Sequence, residues 1–453
     1  MKPVSHSFEL HRGLLAVAAR STRRSLLPAA LLVGAVAGAA SAQTVRIVGS
    51  GFPYANIQAA VDAAADGDVV LVKSGSYSAF TIQNKSLTVI EDAGNSVVVE
   101  QAIVASLDAT KFVALRGLEF RRPYTEGQAG IDLVLSFVKG GVFVEDCQFL
   151  TASSAGTGSS PAPAVLVAGD STIPGWASLS RCTLAGSDGR SGTPGGVALQ
   201  ATGIRLALYD CALAGGRGGD GATGQNAGSG GPALFAYGAQ VTLHGCSVLG
   251  GAGGTGGAPT IANPCPAGGA GGIGMWTVAG SWSSITNSAY FLASTPIGGA
   301  GGASGGVCSG GAAGAGLVND GAWALTTHAS GAPHSVELAS PVDENTSTTA
   351  TYRGSVQSQF ILYGNGAPAF TLMLPSILGV CDLAALNYLD GGSMGGSTTL
   401  TRTYPLNNVT GGAQALVMYV QAGFADFVDN PPPSGYTMLW GAPSLLVVLN
   451  VTH

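Results

Sequence analysis

Three charged residues, Asp146, Arg181 and Asp210, occupy one position in successive copies of a short pattern. An acid, a base and an acid stacked together are a minimal set for general acid–base chemistry. The copies are LRGLEF (115–120), VEDCQF (144–149), LSRCTL (179–184), LYDCAL (208–213), LHGCSV (243–248) and ITNSAY (285–290). Their third column reads Gly117, Asp146, Arg181, Asp210, Gly245 and Asn287. Five of these six are Gly, Asp or Asn, which tolerate the left-handed backbone of a tight bend. A bend explains every member except Arg181, whereas catalysis explains only three. The bend is therefore the primary reading, and a catalytic Asp146–Arg181–Asp210 set is the alternative. Either reading requires the copies to stack as strands ~4.8 Å apart.

The fourth column carries Cys147, Cys182, Cys211 and Cys246, set between apolar residues. That places them inward as a row of small hydrophobes. They are expected to be buried and mostly reduced, since ladder spacing slightly exceeds the Cβ separation of a disulfide. One dry row offers no tetrahedral ligand set, so no metal site is expected there. Cys265 and Cys308 instead lie in similar glycine runs, and a Cys265–Cys308 disulfide is expected if those runs stack. Cys381 is left over in an apolar strand. The stretch GGRGGDGAT (215–223) fits one unit of the calcium-binding nonapeptide repeat, but it has no second good copy. No cofactor is expected, with Ca2+ near Asp220 as the alternative. Tyr237, Trp276, Trp282 and Trp323 lie in strands beside the glycine runs. They offer rings on which sugars stack, against the alternative of core packing. The remaining acids, Asp132, Glu145, Asp170 and Asp188, are sparse, and His244 is a lone histidine more consistent with a strand edge.

These residues need a repeating scaffold. The fourth-column spacings of 29, 35, 29, 35 and 42 fall in the solenoid range. Their variation sits in the glycine runs, as expected of loops inserted into a constant coil. Gly contributes 71 of 453 residues without a chain-long Gly-X-Y period, which excludes collagen. Glycine loops that fold back on one another through close, hydrogen-bonded backbone approach are the expectation. Upstream, Ile57, Ala60, Val61 and Ala64 mark one face of a short helix. Asp66–Gly67–Asp68 ends it, Val69–Val72 is a strand, and Ser74–Gly75–Ser76 is a turn.

The stretch YANIQAAVDAAADGDVVLVKSGSYSAFTI resembles the opening of secreted right-handed parallel β-helix proteins of the pectin-lyase-like superfamily. There a helix covers the open first rung. The resemblance implies a right-handed parallel β-helix over residues 43–340, with an N-terminal helical cap and glycine-rich inserted loops. Residues 341–453 read as a small antiparallel β-sandwich-like domain, similar to a C-terminal module of secreted bacterial proteins that has no assigned activity. The superfamily includes polysaccharide lyases and glycoside hydrolases, but nothing here repeats their catalytic motifs.

Residues 1–42 read as an export signal. Lys2, Arg12, Arg20, Arg23 and Arg24 precede an apolar run and the small-residue sequence Ala40–Ser41–Ala42. General secretion is expected, with the twin-arginine route as the alternative. Removing this segment takes five basic residues and one acid from 19 Lys+Arg and 25 Asp+Glu, leaving 14 against 24. Such an acidic, weakly charged surface argues against nucleic-acid binding. No later apolar run reaches the ~18 residues of a membrane span. The expectation is a secreted, periplasmic or cell-surface protein that is non-catalytic and that binds polysaccharide or cell-envelope matrix. The alternative is a divergent polysaccharide lyase or glycoside hydrolase.

Overall fold

The computed structural model describes residues 43–450, apart from 122–129, 151–160, 281–284, 322, 329–332, 367, 373–377, 382–386, 410–412 and 426–437. The export signal lies outside the described residues. The chain is nearly all β and is dominated by three long parallel sheets of ten, eight and eight strands. Sheet 1 runs from Val45–Val48 to Ala324–His328, sheet 2 from Gly75–Tyr77 to Thr295–Ile297, and sheet 3 from Phe80–Gln83 to Leu317–Asp320. The chain visits the three in turn, so each circuit adds one strand to every sheet, as in a β-helix-like solenoid.

Alternating burial builds the core between the sheets. Phe80 and Ile82, Ala102 and Val104, and Leu133 and Leu135 point inward from sheet 3, while their neighbours face out. Like residues stack on like: Phe120 and Phe149 lie parallel with ring centroids 4.8 Å apart. Burying each such side chain stabilises by about 1.5–3 kcal/mol. The helix Ile57–Ala63 is capped by Asn56, whose side chain accepts from Ala59 N at 2.8 Å. It buries Ile57, Ala60 and Val61 in the same core.

The third column of the repeat is the bend between sheets 1 and 2. Gly117, Asp146, Arg181, Asp210 and Gly245 have φ of 74°, 53°, 53°, 50° and 65°. The sixth member is misplaced in the sequence reading. His244 pairs with Leu292, so the bend falls at Ala293 (φ 47°) and Ser294 succeeds the cysteines, with its Oγ accepting from Cys246 N at 2.8 Å. The apolar ends of ITNSAY mimicked the pattern one strand early. Likewise Gly75–Tyr77 is a strand of sheet 2, not a turn, because Tyr77 is drawn into the core.

The glycine runs form a second ordered body between sheets 2 and 3. Outgoing segments (186–192, 215–224, 250–258, 298–305) make one layer, and returning segments (194–197, 226–232, 267–274, 311–316) make the other. Hydrogen bonds recur every third residue. Gly250, Gly253 and Gly256 donate to Ile297, Ala300 and Ala303 of the next outgoing segment, and Gly251, Gly254 and Gly257 donate to Gly231, Gly228 and Gln225 of the facing layer. A three-residue period with bonds only between segments is the signature of polyproline II packing. The chain therefore has no global Gly-X-Y period but a local Gly-Gly-X one, and the third residue (Ala252, Thr255, Ala258) faces solvent. A Cβ on Gly254 would sit 2.2 Å from Gly219 O, so the inner positions admit only glycine. Cys265 and Cys308 stand at disulfide distance at the tip, with Cα atoms 5.9 Å apart.

From Ser335 the pairing becomes mainly antiparallel. Ser335–Leu338, Ser347–Arg353 and Thr399–Pro405 form one sheet. A second is built around Gln359–Asn365, Ala415–Ala425 and Ser444–Leu449. Tyr352 and Tyr404 of the first share a core with Phe360, Phe424 and Leu446 of the second. The opposite face of the second sheet packs Val417, Tyr419, Leu445 and Val447 onto Leu71, Ile90, Phe143 and Trp176 of sheet 1.

Candidate functional site

The bend column and the last residues of the sheet 1 strands create a buried polar row. In register, Arg116, Glu145, Ser180, Tyr209 and His244 lie side by side. Glu145 is fully buried, and its carboxylate accepts from Ser444 Oγ (2.6 Å) and Leu445 N (2.8 Å). It also pairs with Arg116 at 3.3 Å and with Arg181. Arg181 Nε donates to Asp146 Oδ1 at 2.8 Å, and Arg116 lies 3.2 Å from Asp146 Oδ2. Arg116 further donates to Leu338 O (2.8 Å) and Leu445 O, and Ser180 Oγ to Pro443 O (3.1 Å). The structure therefore joins Asp146 to Arg181, and it supplies the reason for Arg181 in a bend. The left-handed backbone costs about 1–2 kcal/mol, and the ion pairs made from that position offset it.

Burial sets the titration of this row. It pushes the Glu145 carboxyl up, against the pull of Arg116 and Arg181. It pushes Asp210 up to about 7, with Arg181 pulling the other way, and Glu91 up to about 7. It lowers His244 to about 3, helped by the neighbouring His334. His244 accepts at Nε2 from His334 N at 3.2 Å, so it is a buried junction residue and not the strand-edge residue expected. Arg116, Glu145 and Ser180 hold Leu338, Pro443, Ser444 and Leu445 to the coil, and the Glu145 carboxylate is closed in by two arginines, a hydroxyl and a backbone amide.

The other acids are dispersed. Asp132 is buried. Asp170 accepts from Thr172 N at 2.8 Å. Asp188 accepts from Arg217 N (2.7 Å), and Asp220 accepts from Thr255 N (2.6 Å) and pairs with Arg217 (2.5 Å). The Asp220 carboxylate thus closes an outward amide of the glycine layer. Among the described residues no three His, Cys, Asp or Glu side chains gather as a metal site. Cys147, Cys182, Cys211 and Cys246 are buried free thiols, and burial pushes the Cys147 thiol up. Cys381 lies in the strand Leu378–Cys381.

The aromatic candidates separate. Trp323 is 4% exposed in the coil core, because it closes the last rung. Trp282 lies outside the described residues. Tyr237 and Trp276 both face out from sheet 3. Strand Leu234–Tyr237 pairs with Met275–Val278 so that Phe235 meets Trp276 and Tyr237 meets Val278. Phe235 and Trp276 pack edge to face with centroids 5.2 Å apart. Trp276 Nε1 donates to Asp320 Oδ2 at 2.8 Å on the next strand. Tyr237 is 38% exposed, diagonal to Trp276 at roughly 8 Å by strand geometry. Gln200 and Thr202 flank the rings in register. Phe235 and Asp320 escaped the sequence reading. Alternation in Leu-Phe-Ala-Tyr, with Leu234 inward, was the signal for Phe235. Asp320 had none, lying 44 residues from its partner.

No family model matches this chain, and no curated protein matches it. No helix among the described residues is long and apolar enough to cross a membrane.

Proposed function

We propose that this chain is an exported, non-catalytic, right-handed parallel β-helix of the pectin-lyase-like type that binds neutral polysaccharide or cell-envelope matrix. Its C-terminal region is a β-sandwich-like module clamped to the coil. Handedness follows from the rule that parallel crossovers within a sheet are right-handed in roughly 98% of cases. Export follows from the basic, apolar and small-residue regions of residues 1–42.

The observation that carries the binding reading is the outward aromatic group on sheet 3. Phe235, Tyr237 and Trp276 form a shallow platform, and Asp320 fixes the indole. A flat ring held in advance presents its face to the apolar face of a sugar without further ordering cost. Gln200 and Thr202 supply hydrogen-bonding groups beside it. The engagement of Glu145, Asp146 and Arg181 with one another supports a non-catalytic reading, since a hydrolase needs carboxyls free to meet substrate.

The test is retention of the mature protein on a panel of neutral polysaccharides, with product analysis. Retention without cleavage is expected, weakened at least about tenfold by Trp276→Ala, or roughly 1.4 kcal/mol. Release of products, abolished by Asp146→Ala or Asp210→Ala, would instead establish the divergent carbohydrate-active enzyme.

A further inference from the structure

The glycine slab ends on an unfinished edge. In the third outgoing segment, Gly250, Gly253 and Gly256 each donate to the fourth at 2.8–2.9 Å. The matching donors of the fourth are the N–H groups of Gly298, Gly301 and Ser304, and these meet no acceptor among the described residues. The facing layer is unfinished in a complementary way. Carbonyls of Gly272 and Gly269 accept from Gly299 and Gly302, whereas the corresponding carbonyls of the last returning segment, Gly314 and Gly311, accept from nothing described. Donors on one layer and acceptors on the other therefore line one groove.

We propose that this groove binds a partner segment in the polyproline II conformation with glycine at every third residue. The period decides the conformation. Donors three residues apart in such a helix recur every ~9.3 Å. A β-strand offers a carbonyl on one side every ~6.6 Å and falls out of step. The slab itself decides the glycine. The fourth segment sits on the third so closely that a Cβ at Gly299, Gly302 or Gly305 would lie 1.9, 1.8 or 1.6 Å from a carbonyl oxygen of Gly251, Gly254 or Gly257. A fifth segment continuing the lattice meets the same restriction against Gly299 and Gly302. Each repeat then forms two bonds. The glycine N–H donates to Gly314 O or Gly311 O, and the carbonyl of the following residue accepts from Gly298, Gly301 or Ser304. The other two side chains of the repeat are unrestricted by the third and fourth segments. This is strand addition to an open edge, transposed to a three-residue helix.

The probe is the peptide Gly-Gly-Ala-Gly-Gly-Thr-Gly-Gly-Ala, the sequence of residues 250–258, titrated into the mature, disulfide-intact protein with backbone amides followed by NMR. Binding at about millimolar Kd is expected, with shifts confined to the amides of Gly298, Gly301, Ser304, Gly311 and Gly314. A peptide with alanine for every glycine should not bind. Ser304→Pro removes one donor at a position that is not glycine, and should weaken binding severalfold, while Ser304→Ala keeps the N–H and should bind as the parent. Thermal melts confirm that both variants fold, and the peptide comparison stands independently of either. The proposal is overturned by no shift at saturating peptide, by equal binding of the alanine peptide, or by self-association of the chain through this edge that the peptide does not compete.

Discussion

Residue 181 shows how a side chain is chosen by what it reaches and not by where it stands. Its backbone is left-handed (φ 53°), a conformation arginine rarely adopts, yet its guanidinium bridges Asp146 and Glu145. Removing Glu145 would leave Arg116 and Arg181 with Asp146 as their shared counter-charge, and would take the acceptor from Ser444 Oγ and Leu445 N. Glu145→Ala should therefore cost about 3–5 kcal/mol, read by denaturant unfolding. A loss below about 1 kcal/mol would show that the row does not hold the junction. The same row predicts a pH dependence. Asp210 titrates at about 7 in the fold, against ~3.9 when unfolded. Between these values the folded chain holds a proton that the unfolded chain has released, so stability falls as pH rises. Glu91 acts in the same direction. His244, lowered to about 3, opposes them: below ~6.5 the unfolded chain takes up a proton that folded His244 refuses, so its contribution is lost as pH falls. Asp210→Asn should reduce the drop in melting temperature between about pH 5 and pH 7.5 by a few degrees, and an unchanged drop would refute the assignment.

At the scale of elements, the glycine layers behave as structure and not as loops. Inside the open edge, inner N–H groups such as those of Gly250, Gly251, Gly253 and Gly254 have fixed partners in neighbouring segments, so the stability of the layers depends on the absence of Cβ atoms. Gly254→Ala places a methyl 2.2 Å from Gly219 O and should destabilise by about 1–3 kcal/mol, the usual range for overpacking. Thr255→Ala, one residue away and facing out, should change stability by less than about 0.5 kcal/mol. Equal effects in thermal melts would mean the segments are not packed as described. The tip is held by the Cys265–Cys308 pair, which closes a span of 43 residues. Cys308→Ser should cost about 2–4 kcal/mol and speed proteolysis within 259–264. The four core thiols should resist alkylation until the chain unfolds, which mass spectrometry can follow.

At the scale of the molecule, the three faces of the coil have different fates. Sheet 1 is covered by the second antiparallel sheet, which is why Gly141–Glu145 and Trp176–Ser180 are buried on both faces. Sheet 2 and sheet 3 keep an alternating pattern, buried in and exposed out. Among the described residues of these two uncovered faces, sheet 3 carries outward aromatics beside one another, Phe235, Tyr237 and Trp276, and the proposed polysaccharide binding is placed there. A double variant of Tyr237→Ala and Trp276→Ala should abolish polysaccharide retention with an unchanged melting temperature. Loss of retention together with loss of fold would assign the rings to packing instead.

Much of this was legible from local rules. The spacing of LHGCSV and its relatives required stacked strands, and Gly or Asp at one column required a bend. Apolar flanks placed the cysteines inside, and the spacing of Ile57, Ala60, Val61 and Ala64 marked a short helix. These are consequences of a few adjacent residues meeting the same backbone geometry on every circuit. The misplacement of the last repeat had a local cause as well: apolar residues five apart satisfy the pattern at Ile285 and Tyr290 as they do at Phe291 and Pro296, and only pairing with His244 chooses between them. What the tertiary structure alone decided is who meets whom across distance. Arg181 finds Glu145 at 36 residues, Glu145 finds Leu445 at 300, and Trp276 finds Asp320 at 44. Sequence spacing carries the period of a coil, because each turn repeats the same local problem. It carries no record of which distant side chain arrives at a given face, because that depends on how long each excursion is and where the chain returns.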